Sequence, residues 1–379
     1  MHMLRTLLLT GFASLTTLSM AAEYFIYYGT YTNGKSDSKG IYVSRFNTES
    51  GEWTAPQLAG ETGSPSFVAV HPTGKYLYSV GEVSQPGQKG GGVTAWSIDP
   101  ATGKLTQINQ VSSVGAGPCH INLNPKGDLA MVANYSGGSA VSYHVKPDGS
   151  LSEAVSFHQH EGSSVNERRQ KTPHAHSANF SPDGKFAFIA DLGADKVFIY
   201  KVGEEGATTA HGSVAVPPGS GPRHFAFHPS GKYAFTNGEL LLTVTSFKYD
   251  AEQGSLAALE TVSCLPEGVP FSDKYSTAEI VTHPNGKFVY CSVRQHDSIA
   301  RFRFDESAGT LHYQGSTASG GNIPRNFNLD PTGKWLFAAH QNSHNVVLFK
   351  VDQETGDLKP AGKEQQVSAC VCVRFVAVP

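Results

Sequence analysis

Charge is scarce in this chain of 379 residues. Lysine and arginine total 29 against 32 aspartates and glutamates, and the four types together make up 16% of the sequence, compared with roughly a quarter in an average soluble domain. The formal net charge is −3 and no basic run occurs, so the electrostatic footprint of a nucleic-acid or anionic-membrane binder is missing. Cysteine is equally sparse. Cys119, Cys264, Cys291, Cys370 and Cys372 are odd in number, have no framework spacing and include no CxxC pair, which argues against a disulfide scaffold. Most are expected to be small buried apolar residues inside strands. Beyond the first twenty residues no apolar stretch is long enough to cross a bilayer. What the chain has in quantity is glycine, 40 residues, and aromatics, 10% and spread throughout. That balance excludes disorder and coiled coil and favours β structure.

The first residues read as an address rather than as fold. A short basic start, Met1 to Arg5, precedes the apolar run Leu7 to Met20, and Ser19 and Ala21 place small residues where a signal peptidase cuts. Residues 1–21 are therefore expected to be a signal peptide. Residues 22–379 are expected to be exported to the periplasm or medium as a single domain.

One phrase organises the rest. HPTGKYLYSV, NPKGDLAMVA, SPDGKFAFIA, HPSGKYAFTN, HPNGKFVYCS and DPTGKWLFAA recur with their glycine at 74, 127, 184, 231, 286 and 333, on average about 52 residues apart. Each copy begins with a Pro-led segment such as PRHFAF, passes a Pro-x-Gly-Lys turn and continues into an alternating aromatic strand. A second alternating strand and a turn such as DPATGKL or DQETGDL follow. Four short antiparallel strands per unit make a propeller blade, and the length accommodates seven. The seventh is split: CVRFVAVP at Cys372 to Pro379 repeats the Pro-led strand, while YFIYYGTYT at 24–32 repeats the aromatic one. The fold predicted is an all-β, seven-bladed propeller closed by the C-terminal strand. A closed ring has no edge to pair, so a monomer is expected. The one long interruption, 156–172, reads as an insertion loop.

Positions where the copies diverge into polar types are candidates for function. Six residues before the turn proline the copies read Ser66, Cys119, His176, Arg223, Ala278 and Arg325, with Val373 in the split blade. The next position reads Phe67, His120, Ser177, His224, Glu279, Asn326 and Arg374. Seven to eight residues after the turn glycine stand Glu82, Asn134, Asp191, Glu239, Arg294 and His340-Gln341. Both sets are expected to converge on one mouth of the central channel. Guanidinium groups suit a bound carboxylate or phosphate, and histidine beside glutamate suits proton transfer near neutral pH. Two HxH pairs, His158/His160 and His174/His176, do not make a convincing metal site. The first lies in the polar insertion and is expected to be solvated; the second sits among arginines that repel cations. No metal or other cofactor is expected. Neither GxSxG nor a phosphate loop is present.

PHAHSANFSPDGKFAFIADLGADKVFIY (173–200), GPRHFAFHPSGKYAFTNGEL (221–240) and PRNFNLDPTGKWLFAAHQNS (324–343) together resemble the bacterial seven-bladed propeller lactonases, a family that includes a 6-phosphogluconolactonase and the fungal carboxy-muconate cyclase. The resemblance implies a metal-free site in which a His, two Arg and a Glu act. By motif these are His176, Arg223, Arg294 and Glu239, with His174 a second candidate for the His. Gly238 departs from the family's usual Asn-Glu-Leu and could displace Glu239. The implied function is hydrolysis of a small anionic sugar lactone or formation of one from a sugar acid. Arg223 and Arg294 would hold the anion and the developing oxyanion. Glu239 and His176 would share the general base and acid roles, and His120, Asn134, Tyr135, His174, Asp191, His224, Arg325 and Gln341 would orient the substrate. The competing readings are a non-catalytic exported propeller that binds protein or glycan, and a muconate-type cycloisomerase.

Overall fold

The computed structural model describes residues 23–34, 36–82 and 92–379. The signal peptide expected at 1–21 lies outside the described residues. Within them, seven sheets of four antiparallel strands follow one another, and the one helical element is a single 3-10 turn at Glu204–Gly206. Six blades are continuous, beginning at the innermost strands Val68–Val70, Pro118–Leu123, Ala175–Phe180, Pro222–Phe227, Ser276–Thr282 and Pro324–Leu329. In the seventh, the C-terminal strand Cys370–Ala377 pairs with Glu23–Thr30, Tyr24 opposite Ala377 and Tyr28 opposite Val373. Adjacent innermost strands touch all the way round, which closes the ring about a central channel.

The repeated phrase is legible in its bonds. At all six turn glycines φ lies between +69° and +79°, a region that costs other L-residues steric energy. The turn histidine fastens one blade to the next: Nε2 of His71, His228 and His283 lies 3.1, 2.8 and 2.9 Å from the carbonyl oxygens of Gly127, Gly286 and Gly333. A tyrosine of the aromatic strand does the same further out. Tyr27, Tyr78 and Tyr290 donate to the carbonyls of Gly103, Gly149 and Gly356 in the neighbouring blade. These phenols are fully buried, so each hydrogen bond also satisfies a group that would otherwise be costly to bury. All five cysteines are buried and free.

Two boundaries differ from the sequence reading. The outer strand Leu151–Gln159 pairs with Ser139–Val145 as far as Gln159 opposite Ser139, so the extra loop before the next blade is 160–174. In the split blade the innermost strand is two residues longer than the six-residue ones, and the extra residues lie at its start, since it ends two residues before its proline as the others do. Its rim position is therefore Val371 rather than Val373.

Candidate active site at the channel mouth

Six of the seven innermost strands enter the channel through a β-bulge; Val68–Val70 pairs in unbroken register, with Ser66 just before it. The register skips Cys119 between Pro118 and His120, His176 between Ala175 and Ser177, Arg325 between Pro324 and Asn326, and Val371 between Cys370 and Cys372. In the blades that begin at Pro222 and Ser276 it skips two residues, Arg223-His224 and Ala278-Glu279. A bulge adds one side chain that the ladder does not commit, and aims it away from the sheet. Ser66, Cys119, His176, Arg223, Arg325 and Val371 accordingly face one another at the mouth.

The second strand of each blade completes the site, and parity decides which residue does so. Eight positions after the turn glycine stand Glu82, Tyr135, Glu239 and Arg294, and all four line a mouth cavity of about 310 Å³ together with Cys119, Arg169, His176 and Arg325. Seven positions after it the side chain points the opposite way. Asn134 is fully buried and donates to the carbonyl of Ser113. Asp191 accepts the backbone N–H groups of His174, Gly193 and Ala194 and lies 2.7 Å from His160 Nδ1. Neither reaches the cavity, and both are corrected from substrate-orienting to loop-organising residues. Gln341, although eight positions after its glycine, sits in the turn beyond the strand Trp335–His340 and does not line the cavity. His160, expected in solvent, is buried against Asp191.

Glu239 is the hub. Its Oε1 accepts from Arg169 Nη2 at 2.9 Å and lies 3.3 Å from Arg294 Nη2; its Oε2 lies 3.1 Å from Arg223 Nε. Burial opposes its charge, but Arg294, Arg223 and Arg169 outweigh burial and hold its pKa at about 2. Gly238 does not displace it. A Cβ there would come within 2.6 Å of Thr243 Oγ1 and 2.8 Å of Ser220 Oγ, so glycine is what lets the 217–221 loop close over the strand end. Arg223 and Arg294 also donate to the carbonyls of Ala278 and Thr277, while Nε of each has no hydrogen-bond partner among the described residues. Burial pulls Arg294 down to about 9, with Arg223 and Arg325 adding to the shift, and lowers Arg223 likewise. Four guanidinium groups thus face two carboxylates, Glu239 and Glu82, in one water-poor space. The surplus is positive.

His176 stands inside this cluster with its pKa well below 6.5, through burial and then the charge of Arg223. It is a neutral imidazole at pH 7. His174 stacks on the far face of Tyr135, centroids 4.7 Å apart, and its Nδ1 lies 3.0 Å from the Tyr135 carbonyl. Of the two histidines in PHAHS, the cavity holds His176. Tyr135 accepts from Arg169 Nη2 at 3.0 Å. Arg325 lies over the Tyr31 ring at 5.6 Å; burial works against its charge, and Tyr31 and Glu82 more than restore it. His120 and His224 are one layer deeper. Phe67, His120, His224 and Glu279 pack across the channel and close it below the mouth, with rings at 4.0 to 5.7 Å.

Arg169 is the residue that sequence reasoning missed. It lies in the loop treated as a solvated insertion, and no repeat position corresponds to it. The one available signal was its basic pair with Arg168 immediately before PHAHS. Among the described residues no group of three or more His, Cys, Asp or Glu side chains comes together as a metal site would require.

The family model described as "Lactonase, 7-bladed beta-propeller" matches residues 25–375. A 6-phosphogluconolactonase of Bacillus subtilis is 38% identical over 93% of this chain and 99% of its own length; one from Formosa agariphila is 36% identical over 90% and 97%. Among solved structures, a periplasmic gluconolactonase of Pseudomonas aeruginosa superposes with a TM-score of 0.87 at 33% identity, covering 94% of this chain and all of that one. With the blades, the bulged rim and these likenesses in agreement, the chain belongs to the seven-bladed β-propeller lactonase family.

Proposed function

We propose that the mature protein is exported and hydrolyses a small anionic sugar lactone at the channel mouth, without a metal ion. The observation that carries this reading is the gathering of Arg169, Arg294 and Arg325 around a neutral His176 in the mouth cavity, with Arg223 paired to Glu239 and lining the adjoining crevice. Guanidinium groups crowded together with surplus positive charge are stabilised by an incoming carboxylate or phosphate. The names of the Bacillus, Formosa and Pseudomonas proteins support the lactone as substrate class, and that of the Pseudomonas protein also supports export.

The geometry revises the division of labour. Glu239, with a pKa of about 2 and three arginine partners, is too weak a base to take a proton from water; it holds the arginines in place. His176 has the free lone pair. It takes a proton from water as the water oxygen bonds to the lactone carbonyl carbon, and the negative charge forming on the carbonyl oxygen is held by Arg223 and Arg294. As the bond from that carbon to the ring oxygen breaks, His176 returns the proton to the departing oxygen. The product is the open hydroxy acid. One oxygen of Glu82 is buried without a hydrogen-bond partner and is available to orient the water. Replacing Arg223 by Ala tests the assignment. Loss of turnover of an active lactone, with the mature protein still folded, is expected; unaltered turnover overturns it.

A further inference from the structure

The plug that closes the mouth is also the floor of a second chamber. Beyond Phe67, His120, His224 and Glu279 the channel widens into a cavity of about 400 Å³, within the range of about 300–1,000 Å³ typical of small-molecule sites. Its wall is the next layer of the innermost strands: Asn122, Asn179, Asn328 and Arg374 among small apolar residues. We propose that this chamber is a second binding site, separate from the lactone site, for a small hydroxy-carboxylate anion.

Three observations point to that chemistry. Arg374 lies 4.5 Å over the Phe67 ring and donates to the carbonyl of Val373; among the described residues no carboxylate pairs with it directly, and Glu279 acts on it only through space. His120 is 5% exposed and lines the chamber; its Nδ1 accepts from Ala178 N at 3.3 Å, which leaves the proton on Nε2. The one carboxylate in the lining, Glu279, is already occupied. It accepts from His224 Nδ1 at 2.6 Å, from Ile280 N at 3.0 Å and from Asn326 Nδ2. A guanidinium and an imidazole N–H with no carboxylate in direct contact suit a carboxylate ligand. The amides of Asn122 and Asn179, tied to each other and to Ser177 by long bonds of 3.4 and 3.3 Å, have capacity left for hydroxyl groups, whereas Asn328 Nδ2 donates to the Val373 carbonyl at 3.0 Å.

The two sites share a wall. Arg223 Nη1 lies 3.2 Å from His224 Nε2, and His224 lines both the chamber and the crevice in which Arg223, Arg325 and His176 meet at the mouth. An anion in the chamber therefore sits one imidazole away from an arginine of the catalytic cluster. The proposal does not require the lactonase reading, because its test is binding.

The test is a crystal of the mature protein equilibrated with saturating D-gluconate, with equilibrium titrations of the wild type, Arg374→Ala and Arg374→Lys. The expected result is gluconate density spanning Arg374 and His120, and a binding step that Arg374→Ala weakens about tenfold or more, roughly 1.4 kcal/mol, while Arg374→Lys weakens it less. D-glucose, neutral and of similar size, is expected not to bind there. Water alone in the chamber at saturating gluconate overturns the proposal. So does inorganic phosphate occupying the chamber where gluconate does not, or affinity of Arg374→Ala within about twofold of wild type. The wild-type crystal decides the matter even if Arg374→Ala does not fold.

Discussion

Arg169 and Glu239 meet at 2.9 Å across the channel mouth, so a loop outside the repeat completes a cluster that the repeat builds. The Arg169 side chain is 41% exposed where that of Glu239 is 6%. The two partners should therefore respond differently to removal. Arg169→Ala is expected to lower kcat/KM about tenfold or more while shifting Tm by about 2 °C or less, since half-exposed ion pairs contribute little to folding. Steady-state kinetics and a thermal melt on the same preparation check both halves.

Glu239→Gln keeps the shape and removes the charge shared by the buried guanidinium groups of Arg223 and Arg294 and the half-exposed one of Arg169. Breaking buried pairs from one side costs about 3–5 kcal/mol, so this variant should melt well below wild type and lose turnover. With a folded pKa of about 2 against 4.5 for the free side chain, its stabilising effect is complete above pH 4.5 and is lost as pH falls through 2. Glu239→Gln should accordingly show its deficit in chemical denaturation at pH 7 and progressively less of it below pH 4.

His120, His176 and His224 all have pKa values well below 6.5, in each case chiefly through burial. Such groups are neutral when folded but take up a proton in the unfolded chain below pH 6.5. The unfolded state then binds more protons, so stability is full above pH 6.5 and falls as the pH drops. The slope is about 1.4 kcal/mol per pH unit for each histidine. Stability from denaturant melts is expected to be lower at pH 5.5 than at pH 7, and replacing His120 by Phe should make the difference smaller.

Removing Cys370 to Pro379 takes the innermost strand from the split blade and leaves Glu23–Thr30 unpaired on one side. It also opens the ring between the innermost strands Val68–Val70 and Pro324–Leu329. An unpaired edge of this kind invites aggregation, so the truncated protein is expected in the insoluble fraction. Soluble monomer on size exclusion would contradict the closure.

The blades were legible in the sequence because a positive-φ glycine recurs in all six continuous units and a large buried side chain follows it four residues later, Tyr78, Met131, Phe188, Phe235, Tyr290 and Phe337 in turn. The site was legible by half. His176, Arg223 and Arg325 stand out because the copies diverge into polar types at the bulged position. Asn134 and Asp191 were grouped with Glu239 because a window of two positions ignores the alternation of a strand, which sends seven and eight to opposite sides. His120 was placed at the mouth for the same reason, one residue beyond the bulge, whereas His224 belongs to its two-residue bulge and reaches both the mouth crevice and the layer below. Arg169 has no counterpart in other blades, so comparison of repeats could not reach it; only the folded loop puts it beside Glu239.

The most direct measurement is turnover by the protein beginning at Ala22, with and without EDTA, on 6-phosphogluconolactone, gluconolactone, galactonolactone and a muconolactone, corrected for spontaneous hydrolysis. The account predicts chelator-resistant hydrolysis of at least one sugar lactone, abolished by Arg223→Ala. Absence of turnover across the panel by correctly folded protein, or turnover that EDTA removes, would contradict it.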